Sequence, residues 1–347
     1  MREVVRGGAA TFVLRDDVRW HPWGEMDDQR LDARDVLFSF SIYANPGIEC
    51  GERRYQFEKV AAAERVDERT VRFLLGRQDA WGVADLGAMF LFPSHLYDLS
   101  DPDNPDHDPE AGDEEQARYV NDNPRNTLWV GLGPWRVTSF EGDRIEAERV
   151  EGYFDPARAG YLDRLRWRRF ADDAAALQAL LAGELQFFDR LSSGDFFGER
   201  TRDASFTERC YKAWATRGAF NYVCWNTHAP QLADARVRRA LGHCLDVEAD
   251  VLRGYYKGLG NVVTGPFPFH SPGYDHSVAP LGLDLDRARA LLAEAGWYDR
   301  DGDGWVDRDD QRLSLEFAAI SGNPFTLQVA QLLQQNLRAD GVELELR

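Results

Sequence analysis

The densest set of potential metal ligands in the sequence is DRDGDGWVDRDD, in which Asp299, Asp301 and Asp303 alternate and Gly304 follows. Carboxylates at alternate positions on a tight turn converge on one hard cation. Counted from Asp299, a calcium loop of the EF-hand length would also take the Trp305 carbonyl, Asp307 and, at its last ligand position, Asp310. Asp310 is shorter than the Glu that normally supplies bidentate reach, and the following RLSLEF reads as a strand rather than an exiting helix. The competing reading is therefore a solvated Asp-Gly turn between a helix and a strand. A calcium ion bound here would be structural.

Hydrolytic chemistry finds no local signature. There is no G-x-S-x-G elbow and no H-E-x-x-H helix. His21, His95, His107, His228, His243, His270 and His276 are scattered, and none neighbours another ligand at metal spacing. Cys50, Cys210, Cys224 and Cys244 form no C-x-x-C pair; Cys210 and Cys224 could meet across adjacent strands, with free thiols as the alternative. Acidic pairs are too common here for spacing to nominate an acid and a base. Gly131 and Gly133 lack the lysine-bearing turn of a phosphate loop. Tyr222, Trp225, Tyr255, Tyr256, Phe267 and Phe269 are more informative, because flat rings can line a cleft and offer hydroxyl or indole N–H groups to a ligand. The competing reading places them in the core.

Composition narrows the partners. The 347 residues carry 41 basic and 59 acidic side chains, a formal charge of -18. Such a chain repels nucleic acid phosphates and anionic bilayers, and no basic run offsets this. Forty-four per cent hydrophobic residues, with ten Trp, twelve Tyr and twenty Phe, give enough to bury for two domains, so the chain is expected to fold. No apolar run reaches the roughly 20 residues needed to span a bilayer. Arg15, Asp16 and Asp17 interrupt the opening apolar patch before a secretory segment could form.

Several elements must position these residues. Phe220 to Trp225 reads as a strand, Asn226 to Asp234 as an irregular connection, and Val237, Leu241, Cys244, Leu245, Val251 and Leu252 as the apolar stripe of one helix. A strand leaving one core for a new helical layer is how a crossing between two lobes should look. Upstream, Ala9 to Leu14 reads as a strand, and Asp32 caps a helix faced by Val36, Leu37 and Phe40. Phe57 to Val60 and Thr70 to Leu75 read as strands, and residues 98 to 118 as an exposed insertion or mobile loop. Trp135 to Phe140 and Ile145 to Arg149 form a hairpin about Glu141-Gly142-Asp143. Tyr161 to Phe170, a helix capped by Asp172 or Asp173 and ended by Gly183, and Leu185 to Phe188 read as a strand-helix-strand unit. Helices follow near Leu285 to Glu294 and Phe325 to Leu337, the latter faced by Leu327, Val329, Leu332, Leu333 and Leu337, with strands at Leu313 to Ala318 and Val342 to Leu346. Both ends of the chain read as interrupted elements.

Taken in order, TFVLRDDVRWHPW, LDARDVLFSF, VGLGPWRVTSFEGDRIEAER, ALQALLAGELQFF, the stretch from Phe220 to Leu252 and DLDRARALLAEAGWYDRDGDGWVDRD resemble the extracytoplasmic solute-binding proteins of family 5, the dipeptide- and oligopeptide-binding components of ABC importers. The resemblance implies an α/β, bilobal periplasmic-binding-protein-like fold of type II with an additional domain, truncated here. It implies that residues 1–122 belong to the extra domain attached to the first lobe, 123–226 to the middle of the first lobe and 227–347 to the start of the second. Asn226 and Thr227 then lie near the crossing, and with Tyr222, Trp225, Tyr255 and Phe267 they make the expected ligand-contacting set.

The implied function is capture of peptides or another small solute and delivery to permease subunits, in the periplasm or at the outer face of the membrane. It implies no catalysis and no cofactor; a structural calcium remains the reading of the acidic loop alone, beside that of a solvated turn. Two other classes stay open from the residues alone: an acidic hydrolase with dispersed carboxylates, and a calcium-stabilised interaction module.

Overall fold

A computed structural model describes residues 2–6, 8–24, 26, 29–76, 82–127, 129–216 and 218–347. The long connection from Pro22 to Arg30 therefore lies partly outside the described residues. Residue contacts divide the chain into two compact units, Met1–Ala171 and Asp172–Arg347.

The first unit begins with β1 (Arg2–Arg6) and β2 (Ala9–Val13), an antiparallel pair. Asp32 then caps α1 (Ala33–Ala44) through a reciprocal box, its carboxylate accepting from the Arg34 and Asp35 N–H groups while the Asp35 carboxylate accepts from the Asp32 N–H. Next come β3 (Val60–Asp67) and β4 (Thr70–Leu75), which complete an antiparallel sheet ordered β1-β2-β4-β3. Alternation along β2 and β4 turns Phe12 and Phe73 to one buried face, where their rings meet edge to face at 5.8 Å. Phe40 of α1 meets Phe73 at 5.6 Å, so the helix is laid on that face. The strand expected at Phe57 to Val60 starts only at Val60; Gly51–Gln56 is a 3-10 helix that delivers the buried Phe57 against Tyr43.

The other side of α1 packs Phe38 and Ile42 against Leu96, Tyr97, Ala117 and Val120. These come from α3 (Ser94–Tyr97), which follows α2 (Gly82–Gly87), and from α4 (Asp113–Asn121). Residues 98–118 are largely exposed, as expected of an insertion, but are anchored at a few buried positions. Leu99, Asp101 and Asn104 are buried, and Asp101 accepts from Ser94 Oγ at 2.6 Å and pairs with Arg34 at 3.1 Å. Polar composition concealed a segment whose buried groups satisfy one another. Beyond it, β5 (Trp135–Glu141), β6 (Arg144–Arg149) and β7 (Arg164–Arg168) form an antiparallel sheet. The tight turn between β5 and β6 has Gly142 at φ 57°, a left-handed conformation that glycine adopts without strain.

In the second unit Asp172 caps α5 (Asp173–Leu181) and Gly183, at φ 82°, follows its end. Leu185 to Phe188 is not a strand, so the expected strand-helix-strand unit does not close here. Two short helices follow, α6 (Ser193–Phe196) and α7 (Ala204–Thr207). Phe220 to Trp225 is not a strand either: its β-rich composition finds no ladder partner among the described residues. Asp234 caps α8 (Ala235–Gly242), which stops at His243 rather than running on to Leu252. Asp246 caps a separate π-helical segment, Val247–Tyr255.

Then come α9 (Leu285–Glu294), the two-residue strands β8 (Asp307–Arg308) and β9 (Gln311–Arg312), β10 (Ser314–Phe317), α10 (Pro324–Ala339) and β11 (Glu343–Leu346). β10 and β11 pair in parallel, so the α/β unit of this region is β10-α10-β11. The core joins Val237 and Leu241 of α8, Leu291 and Leu292 of α9, Leu333 and Leu337 of α10, Leu315 and Leu344. Leu327, expected on the buried face of α10, is 47% exposed, because the helix begins a turn before its face meets the core.

Asp35 is the polar centre of the first unit. Its carboxylate, 2% exposed, accepts from Trp20 Nε1 at 3.0 Å and the Ser94 N–H at 2.8 Å, and Ser94 Oγ, whose proton points to Asp101, lies 3.0 Å from it. Burial nevertheless raises its pKa from the usual 3.8. Asp35→Ala would strand these donors, and urea unfolding is expected to show a loss of about 3 kcal/mol or more. The buried His21 donates through Nε2 to the Gly133 carbonyl at 2.8 Å, leaving Nδ1 without a partner, and burial lowers its pKa from 6.5. The folded state therefore takes up a proton less readily than the unfolded one. The stability tied to neutral His21 is complete above pH 6.5 and is lost as pH falls through the lowered folded value. Unfolding curves at successive pH values should show a shallower acid slope for His21→Gln than for the parent.

Candidate functional site

The second unit contains a cavity of about 890 Å³. One wall is the extended chain from Trp214 to Val223, whose aromatic run gave the strand expectation. The π-helical segment supplies Val247 and Val251, and Tyr256 follows at its end. There the chain turns through Lys257 at φ 55° and Gly258 at φ 85°, which directs residues 259–263 along the cavity. The short non-glycine excursion is supported by Lys257 Nζ donating to the Gly254 carbonyl at 2.6 Å. Phe317 of β10 and Phe325, Thr326 and Val329 of α10 close the apolar side, and Pro268 to Ser271 the remaining one.

A single hydrogen bond ties two of these walls, with Asn221 Nδ2 donating to the Tyr256 hydroxyl at 3.0 Å. Burial raises the pKa of that hydroxyl, so it stays protonated and can donate in turn. Tyr256 also packs on Phe325 at 5.4 Å, and Tyr255 packs on both rings. Among the described lining residues there is no Asp, Glu, Lys or Arg. Ser271 Oγ is buried in this wall without a hydrogen-bond partner. Such a chamber can desolvate an apolar ligand group and meet a few polar atoms.

Of the six residues expected to touch ligand, Tyr222 lines the cavity. Trp225 packs against the core of the unit. Asn226 is exposed and turns the chain, its Oδ1 accepting from the His228 N–H at 3.1 Å, and Thr227 beside it is exposed. Tyr255 stands behind Tyr256, and Phe267 lies against Gly273, where an added Cβ would meet its ring at 2.9 Å. Sequence reading missed most of the wall, including Val247, Leu259 to Val263 and Val329. The two glycines at 258 and 260 after an aromatic pair were the available signal for the turn that carries residues 259–263.

The acidic loop is separate from the cavity lining. Asp299, Asp301 and Asp303 each bring a carboxylate oxygen within 4.8 Å of the others, so the three could hold a metal ion. Asp299 accepts from the Gly302 and Gly304 N–H groups at 2.8 and 3.0 Å, and Asp303 from the Trp305 N–H at 2.9 Å. Asp303 also pairs with Arg312 at 2.8 Å, and the Trp305 ring lies between the Arg312 and Arg338 guanidinium groups. Asp307 is in β8 and pairs with Arg300, while Asp310, at φ 58°, forms the hairpin turn. The last two do not join the trio.

All four cysteines are free thiols. Cys244 is buried beside Asp340, and burial with that neighbouring carboxylate pushes its pKa up to about 12, so it is a packing residue rather than a nucleophile.

Solved structures that superimpose on the whole chain define its class, a periplasmic-binding-protein-like fold. NikA from Brucella suis in complex with Fe(III)-EDTA aligns with a TM-score of 0.73 at 20% identity, over 99% of this chain and 64% of that one. A family model described as "Bacterial extracellular solute-binding proteins, family 5 Middle" matches residues 6–347, and the chain belongs to that family. The family is one of binding components, not enzymes.

Among relatives, the oligopeptide-binding protein AppA of Bacillus subtilis is 25% identical over 99% of this chain and 59% of its own length. Its structure in complex with a nonapeptide aligns with a TM-score of 0.71 at 26% identity, over 100% of this chain and 64% of that one. The dipeptide-binding protein of Escherichia coli is 26% identical over 98% of this chain and 60% of its own length. The chain thus spans about three fifths of the curated relatives it matches.

Proposed function

We propose that this chain is part of the solute-binding component of an ABC importer that captures di- or oligopeptides between two lobes and delivers them to membrane permease subunits. The observation that carries this reading is the family match over residues 6–347, together with relatives whose names state peptide binding. No helix among the described residues is long and apolar enough to cross a membrane. The family is extracytoplasmic, and the proposed location is the periplasm or the outer face of the cell membrane.

In this reading residues 1–122 belong to the extra domain, 123–226 to the middle of the first lobe and 227–347 to the second. Ligand contacts come from Tyr222, Trp225, Asn226, Thr227, Tyr255 and Phe267. Extended peptides would be held by backbone hydrogen bonds, with side chains received in roomy pockets. Calorimetry should detect micromolar or tighter binding of peptides, and no binding of oligosaccharides or nickel. Tyr222→Ala should weaken peptide binding roughly fivefold, as loss of an aromatic contact worth about 1 kcal/mol implies. Hydrolysis of the peptide, with no accumulation of a complex, would falsify the proposal.

The ion at Asp299, Asp301 and Asp303 is proposed to be a structural calcium. Three carboxylates without a bidentate Glu imply weak affinity, on the order of 0.1–1 mM. Millimolar calcium is expected to raise the thermal midpoint, and Asp301→Asn to abolish that rise, since a ligand of the folded state alone stabilises it.

A further inference from the structure

We infer that the cavity of the second unit is a receptor for an uncharged aromatic group, such as an indole or phenol presented without a charge of its own. The inference deepens the peptide-capture reading by naming the side-chain class. It rests on that reading only where the ligand is a peptide.

Three observations converge on this chemistry. First, the described lining holds no Asp, Glu, Lys or Arg and one titratable side chain of the His type, His270, although 29% of the chain is charged. A ligand carboxylate or ammonium entering it would give up hydration with no permanent countercharge among these residues, a cost that a neutral group escapes. Second, rings stand on separate walls: Phe220 and Tyr222 on the extended segment, Tyr256 after the π-helical segment, Phe269, and Phe325 on α10. Rings so distributed offer faces and edges to a flat guest. Third, the wall holds polar groups suited to a neutral guest. The Tyr256 hydroxyl, accepting from Asn221, retains its proton to donate, and Asn221 and Asn261 belong to the same lining. An amide carbonyl or a phenol oxygen can accept that proton. The volume, about 890 Å³, is that of a site for a drug-sized molecule.

Arg217, between Thr216 and Gly218 in the chain, lies outside the described residues, so the test includes it. The 347-residue chain would be titrated calorimetrically with N-acetyltryptophanamide, indole-3-acetate and tryptamine. The neutral amide is expected to bind at least tenfold more tightly than either charged analogue. Thr326→Glu places a carboxylate in the wall at the start of α10, where an acid suits the helix end. It should weaken the amide at least tenfold without lowering the thermal midpoint. Tyr256→Phe, which removes only that hydroxyl, should weaken it several-fold and serves if Thr326→Glu fails to fold. Arg217→Gln should leave the order of the three probes unchanged.

The inference is overturned if the amide does not bind, if its binding ignores the wall variants, or if indole-3-acetate binds as tightly and loses that affinity in Arg217→Gln. A tetrapeptide pair separates this from the parent reading. If Ala-Ala-Trp-Ala and Ala-Ala-Ala-Ala bind equally, the aromatic receptor fails and peptide capture stands. If neither binds while the amide does, peptide capture fails and the receptor stands.

Discussion

Burial of one face of α10 is the interaction on which the second unit depends. Val329, Ala330, Leu333 and Leu337 are buried, and the helix is the crossover that lets β10 and β11 pair in parallel. The same helix begins a turn before that buried face, so Phe325 and Thr326 reach the cavity while Leu327 faces solvent. Core packing therefore fixes the position of one cavity wall directly. The opposite wall also packs on that core, through Val223, Val247 and Val251, and the Asn221 to Tyr256 hydrogen bond and the contact of Tyr256 with Phe325 tie the walls together.

The two units handle charge by the same rule. Asp35 in the first and Asp340 in the second are buried carboxylates, and each is provided with partners: indole and backbone donors for Asp35, the Arg289 guanidinium at 2.9 Å and the Cys244 thiol for Asp340. The carboxylates of the acidic loop are exposed and accept local N–H groups, an arrangement that costs little to maintain. With a formal charge of -18 to distribute, acidic residues go where water or a donor meets them. The cavity lining, free of Asp, Glu, Lys and Arg among the described residues, therefore stands apart from the rest of the surface, and its chemistry bears on ligand class more than the overall acidity does.

Family membership and peptide-binding relatives give the functional frame, and the chain spans only part of those relatives' length. Within this frame the absence of a nucleophile motif from the sequence and the unreactive setting of Cys244 are consistent with a protein that holds its ligand unchanged. Aromatic residues are the link between sequence and function. Trp214, Phe220 and Tyr222 of the extended stretch and Tyr256 at the end of the π-helical segment supply rings at the cavity, each beside a break in regular structure.

The sequence by itself determined the elements whose signals are local. The Asp32 and Asp172 caps, the β5-β6 turn at Gly142, the stripes of α9 and α10 and the alternation of β4 all follow from neighbours within a few residues. It also carried the family resemblance, through ordered segments along most of the chain. The tertiary structure decided what depends on partners distant in sequence. Phe220 to Trp225 has the composition of a strand but no ladder to join, residues 98–118 look solvated but bury Asp101 and Asn104 against a distant helix, and α8 gives way to a π-helical segment where one continuous stripe was expected. Of the aromatic residues nominated for a ligand, only packing could separate Tyr222 and Tyr256 at the cavity from Trp225 in the core, because a ring's composition is the same in either place.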